Sequence, residues 1–207
     1  MMKSLSSILQ QGLKARRDLE LLSVLRSEIA HELSSPPIEV RVVLWSPVIL
    51  TRFRVVRVRI QDVLLKRKFI SGEEIAVSAV LGAVDYMAPE GSFSRRLEMK
   101  VCVRKPGLSS VLQFNCKVPS HKAFSRPYFV WDAHYIQTPV DLSRSIYKGR
   151  KFRSLPRTLR RQLEHYLCDK GIERDLVEFL LSHLHRKEQQ QYVQWLQTIE
   201  NLVSDSQ

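Results

Sequence analysis

Residues 97–118 read LEMKVCVRKPGLSSVLQFNCKV, and this stretch decides the fold class. Leu97, Met99, Val101 and Val103 alternate with Glu98, Lys100, Cys102 and Arg104. Past Pro106-Gly107 the alternation resumes, with Leu112, Phe114, Cys116 and Val118 set against Gln113, Asn115 and Lys117. A period of two puts apolar side chains on one face of a strand and polar ones on the other. Two such runs across a short Pro-Gly connection predict an antiparallel hairpin with one buried face.

The strand pattern extends outward. Glu73–Leu81 is richer in apolar residues, as a central strand is, and Phe53–Ile60, Val63–Phe69 and Tyr128–Gln137 are further candidates, with Ile38–Trp45 a weaker one. The expectation is about seven strands, mostly antiparallel because the connections are short. At both ends of the chain the period becomes helical. Leu22, Leu25, Ile29 and Leu33 recur at spacings of three and four within Leu19–Leu33. Ser34-Ser35-Pro36-Pro37 stops that helix, since proline disfavours helical geometry in the residue before it. Pro156 suits a first helical turn, Leu159, Leu163, Tyr166 and Leu167 share a face, and Gly171 sits where a left-handed cap residue ends the segment. Leu176, Phe179, Leu180 and Leu184 continue in a second helix. Tyr192, Trp195, Leu196 and Ile199, with Leu202 and Val203, form a last apolar stripe that needs a partner. Leu22, Leu25 and Ile29 are the partner expected. Helix, antiparallel sheet, helices is an α+β layout.

Composition bounds the rest. The 207 residues are 44% hydrophobic and 26% charged, with seven Gly and nine Pro, which supports a cored domain and excludes collagenous or wholly disordered chains. Uncharged runs such as Val42–Thr51 and Pro106–Cys116 stop at ten or eleven residues. About twenty are needed to cross a bilayer, so no membrane span is expected. Cys102, Cys116 and Cys168 form no C-x-x-C pair, which fits a reducing compartment and small buried hydrophobes. Met1–Arg17 contains Lys3, Lys14, Arg16 and Arg17 but no acid, and Leu5, Ile8, Leu9 and Leu13 fall at helical spacing. That is the profile of an organelle transit peptide, or of the first turns of a surface helix. Residues 18–207 then form a single domain.

Motifs for chemistry are missing. There is no Gly-rich phosphate loop, no G-x-G-x-x-G, no H-E-x-x-H and no zinc-ligand spacing of Cys and His. His183 and His185 lie two apart, about 200° around a helix, and cannot share a metal ion. No catalytic residue, cofactor or metal is therefore expected.

The net charge of +12 is local. Residues 41–70 hold eight Lys or Arg against Asp62, and residues 144–170 hold nine against Glu164 and Asp169, so each segment is +7 and the remainder is slightly acidic. The candidate anion- or RNA-binding residues are Arg52, Arg54, Arg57, Arg59, Lys66, Arg67 and Lys68 in the first segment. In the second they are Arg150, Lys151, Arg153, Arg157, Arg160 and Arg161. Arg57 and Arg59 alternate with Val56, Val58 and Ile60, which predicts both on one sheet face. Clustered arginine suits phosphate. A solvated basic face, or a surface meeting acidic groups of another subunit, carries the same signature.

The runs SGEEIAVSAVLG (71–82), MKVCVRKPGLSSVLQFNC (99–116) and GIERDLVEFLLSHLHRKEQQQYVQWLQTIENLV (171–203) resemble the mitochondrial glycoprotein family in its plant form. This is the family of the acidic mitochondrial matrix protein, also known as complement component 1 Q subcomponent-binding protein. LLSVLRSEIAHELSS (21–35) resembles its first helix, whereas Pro36–Ile60 resembles it least. The resemblance implies a twisted seven-strand antiparallel sheet, one N-terminal and two C-terminal helices, and a doughnut-shaped homotrimer whose terminal helices pair as a coiled coil. It implies a non-catalytic, chaperone-like binding factor of the mitochondrial matrix, linked to oxidative phosphorylation and the mitochondrial ribosome; on the sequence alone a plastid is the alternative location. One departure stands out. Family loops are strongly acidic, but here Asp85 and Glu90 are balanced by Arg95 and Arg96. The partners expected are instead RNA, acidic proteins, or an acidic relative in a mixed trimer.

Overall fold

The computed structural model describes residues 5–34, 52–58, 62–84, 95–119, 126–137, 147 and 149–204. They divide between two compact units, one drawn from Met1–Glu39 with Arg186–Gln207, the other from Val40–His185.

The larger unit is built on a six-stranded antiparallel sheet in chain order: β1 (Arg54–Val58), β2 (Asp62–Lys68), β3 (Glu74–Val84), β4 (Arg95–Arg104), β5 (Val111–Val118) and β6 (Phe129–Ile136). Six of the expected strands are present at the expected places. The other, Ile38–Trp45, lies outside the described residues. The alternation sets the register. Leu65 pairs with Val77, Val77 with Val101, Val101 with Phe114 and Phe114 with Ala133, so one row of apolar side chains crosses five strands. The first four of these are fully buried. A one-residue slip would turn every strand inside out, and so the pattern tolerates a single pairing.

The β4–β5 hairpin turns at Lys105–Leu108, where the Leu108 amide donates to the Lys105 carbonyl at 3.3 Å and Gly107 has φ +74°. Proline at the second position and glycine at the third are the residues a type II turn demands.

Helix α2 (Arg157–Asp169) and the first part of α3 (Arg174–Ser204) supply Leu167, Ile172, Leu176, Leu180 and Leu184 to the same core as the strands. Helix α2 ends in a Schellman motif. The Gly171 amide donates to the Cys168 carbonyl at 2.8 Å and the Ile172 amide to the Leu167 carbonyl at 3.1 Å. Gly171 takes φ +83°, and Leu167 and Ile172, the positions whose apolar side chains commonly accompany the motif, are both fully buried in the core.

In the smaller unit α1 (Leu5–Ser34) is longer than the Leu19–Leu33 expected, because helical backbone continues back through the basic N-terminal stretch to Leu5. It runs antiparallel to the C-terminal part of α3. Arg26 pairs with Glu200 at 2.7 Å, the Tyr192 hydroxyl donates to Glu28 at 3.1 Å, and the Gln189 amide donates to the Glu32 carbonyl at 2.9 Å. Partner numbers fall on α3 as they rise on α1, which defines the direction.

Candidate functional site

The sheet has two faces of different character. One carries the core. On the other, register places Arg54 beside Lys66, Lys66 beside Ala76, Ala76 beside Cys102 and Cys102 beside Gln113. A further row runs from Lys68 through Glu74 to Arg104. Arg54, Lys66, Lys68, Glu74, Ala76, Cys102 and Arg104 surround a hollow of about 680 Å³, and Val55, Val56, Arg67, Ile75 and Val111 complete its wall. Arg104 donates to Glu74 at 2.5 Å, and Lys68 lies 3.8 Å from the same carboxylate. Arg104 holds the Glu74 carboxyl below the usual range, with Lys68 and Lys66 adding to the effect. Arg54 and Lys66 are exposed and have no carboxylate within ion-pair distance among the described residues.

Not every cation of the first segment belongs to that face. The Arg67 guanidinium turns inward over the rings of Phe69 and Phe53, at 4.2 and 5.8 Å, and donates to the Lys170 carbonyl at 3.4 Å. Lys170 in turn pairs with the buried Glu73, whose carboxylate also accepts from the Tyr166 hydroxyl at 3.1 Å. Burial alone would raise the Glu73 carboxyl, but the hydrogen bonds from Lys170 and Tyr166 outweigh it and hold the group below its ordinary value. Tyr166 is pushed up to about 12 by its own burial and by Glu73. Arg67 and Lys170 therefore act as structural cations that tie the β2–β3 turn to the end of α2. Sequence spacing carries no signal for this network, since Glu73 and Lys170 are 97 positions apart.

The remaining expected residues scatter. Arg52 is exposed ahead of β1. Arg57 sits in β1 opposite Leu64, after a bulge that breaks the simple alternation between Val55 and Arg57, and Arg59 lies outside the described residues. In the second segment Arg150, Lys151, Arg153, Arg157 and Arg161 are exposed, and Arg160 is half-buried. Glu164, one of the two carboxylates in that segment, is engaged by Arg126 at 2.6 Å.

The helix-pairing residues are placed as follows. Leu22, Leu25 and Leu196 are buried together with Val193, which the sequence reading missed. Ile29 and Ile199 are half-buried. Tyr192 reaches Glu28, and Trp195, 57% exposed, stacks on Tyr192 with ring centroids 6.0 Å apart.

Nothing in this geometry assembles a reacting centre among the described residues. Burial pushes the Cys116 thiol up to about 12 and raises Cys102 as well, which suits packing rather than nucleophilic attack. Tyr128 is raised by burial and donates to the Ile172 carbonyl at 3.1 Å. No group of three His, Cys, Asp or Glu is placed to hold a metal, and no helix is long and apolar enough to cross a membrane, both among the described residues.

An antiparallel sheet covered on one face by helices defines an α+β fold. The family is explicit: the chain belongs to the mitochondrial glycoprotein family, whose model matches residues 85–203. Solved structures share the fold, among them the following two. A hypothetical protein of Leishmania major, of unknown function and described as a sequence homologue of human p32, aligns with a TM-score of 0.65 at 18% identity, covering 90% of this chain and 99% of that one. The p22 protein of Trypanosoma brucei aligns with a TM-score of 0.63 at 17% identity, covering 90% and 98%. No curated protein matches the chain.

Proposed function

We propose that this chain is a non-catalytic, chaperone-like binding scaffold of the mitochondrial matrix, acting in support of oxidative phosphorylation or the mitochondrial ribosome, and that it works as a homotrimer. Membership of the mitochondrial glycoprotein family is the observation that carries the reading. The helix pair adds support. Leu19, Val24 and Leu33 of α1 and Trp195 and Leu202 of α3 remain more than half exposed after the pair has formed. Apolar side chains left outside a paired seam suit a surface that another subunit covers. A solution mass near three times the 24.1 kDa chain is expected by light scattering at micromolar concentration. A monomeric mass there would refute the trimer. Affinity isolation from mitochondrial extract is expected to recover the same protein partners with and without nuclease.

A second reading, direct RNA binding, is favoured by one observation: Arg150, Lys151, Arg153, Arg157 and Arg161 are all exposed around the start of α2. It requires partners that disappear with nuclease and an affinity that falls steeply with salt.

A further inference from the structure

The sheet face turned away from the core offers more than charge. Around one hollow it gathers Arg54, Lys66, Lys68 and Arg104 against the single carboxylate of Glu74. Lys66 and Lys68 are alternate residues of β2, which places them on one face about 7 Å apart along the strand. Every second side chain of an extended peptide repeats at that same distance. Val55 and Val56 are 37% and 47% exposed beside the cations, and so apolar contact is available between the charges.

We propose that this hollow docks an extended acidic segment of a partner protein, with carboxylates at alternate positions meeting Lys66 and Lys68 and with Arg54 and Arg104 flanking them across the strands. Two observations favour carboxylates over nucleic acid. The hollow already holds one carboxylate, Glu74, in close contact with Arg104. No aromatic ring lines it, and single-stranded RNA gains much of its affinity from bases stacked on such rings. Glu74 then acts as an internal competitor that the incoming segment must displace from Arg104 and Lys68.

The inference rests on the scaffold reading, but the two fail separately. Solution mass and the isolated partners test the scaffold, whereas a defined peptide tests the hollow. The probe is a fluorescent eight-residue peptide alternating Glu and Val, compared by anisotropy with its Gln-Val counterpart and with an oligouridylate of equal charge. The Glu-Val peptide is expected to bind at least about tenfold more tightly than the Gln-Val form and to weaken as salt rises. Arg54→Glu with Lys66→Glu is expected to lose at least about tenfold, and Glu74→Gln to gain a few-fold. Should the double reversal misfold, Arg54→Gln with Lys66→Gln tests the same point with less charge change. Equal binding of the two peptides, or indifference to both double variants, overturns the proposal. So does tighter binding of the oligouridylate through the same residues, which assigns the hollow to RNA.

Discussion

Replacing Gly171 by alanine tests the junction on which the β2–β3 turn and α2 depend. Gly171 has φ +83°, and a left-handed backbone costs a residue with a Cβ about 1–2 kcal/mol. Alanine recovers part of this, about 0.4–1 kcal/mol, by reducing the freedom of the unfolded chain. The added Cβ also lies 2.8 Å from the Arg67 guanidinium Nη1. That atom ends a flexible side chain, so it moves rather than clashing outright. What is lost is its placement over Phe69 and its long hydrogen bond to the Lys170 carbonyl, together about 1 kcal/mol. The net loss for Gly171→Ala is about 2 kcal/mol, a fall in Tm of roughly 4–8 °C for a chain of this size. Gly107 supplies the control, because its φ is +74° but a Cβ there meets nothing within 4 Å. Gly107→Ala should therefore lose only the backbone part, about 1 kcal/mol or less. Urea unfolding of both variants, alone and with Arg67→Ala, completes a double-mutant cycle. With Arg67 removed, the extra penalty at position 171 should vanish. An unchanged penalty in that background refutes the role given to Arg67, and no loss at either glycine refutes the backbone argument.

Two further substitutions probe the larger unit. Glu73→Gln removes the carboxylate paired with Lys170 and should cost about 2 kcal/mol at neutral pH. Because the Glu73 carboxyl is held low in the folded state, its contribution is complete above the ordinary carboxylate range and is lost as pH falls through the folded value. Unfolding measured from about pH 7 down to pH 3 should thus show a shallower decline in the variant, and parallel curves would sink the assignment. Phe114→Ala empties a fully buried site in the cross-strand row and should cost about 3–5 kcal/mol in the same assay. A loss below about 1 kcal/mol would place Phe114 outside the load of the core.

Much of the fold was legible because its signals are local. The alternation around Pro106-Gly107 specifies β4, β5 and the turn between them, since strand period and turn chemistry act over a few residues. Gly171 marks the end of α2 for the same reason, and Leu22, Leu25 and Leu196 show a helical stripe whatever they pack against. The family, too, was readable from runs of sequence.

Charge was legible only as a total. The sequence counts Arg67 and Lys170 with the other cations of their segments, but the tertiary structure turns both inward, onto Phe69 and Glu73. It also adds Arg104 and Glu74, from outside and beside the first segment, to the face shared by Arg54 and Lys66. The physical reason is reach. Periodicity, caps and turns are settled by neighbours along the chain, so six strands, the helical stripes and the family could be read from runs of residues. Which charges meet a partner depends on which strands lie side by side and which groups 97 positions apart come into contact, and only the folded sheet decides that.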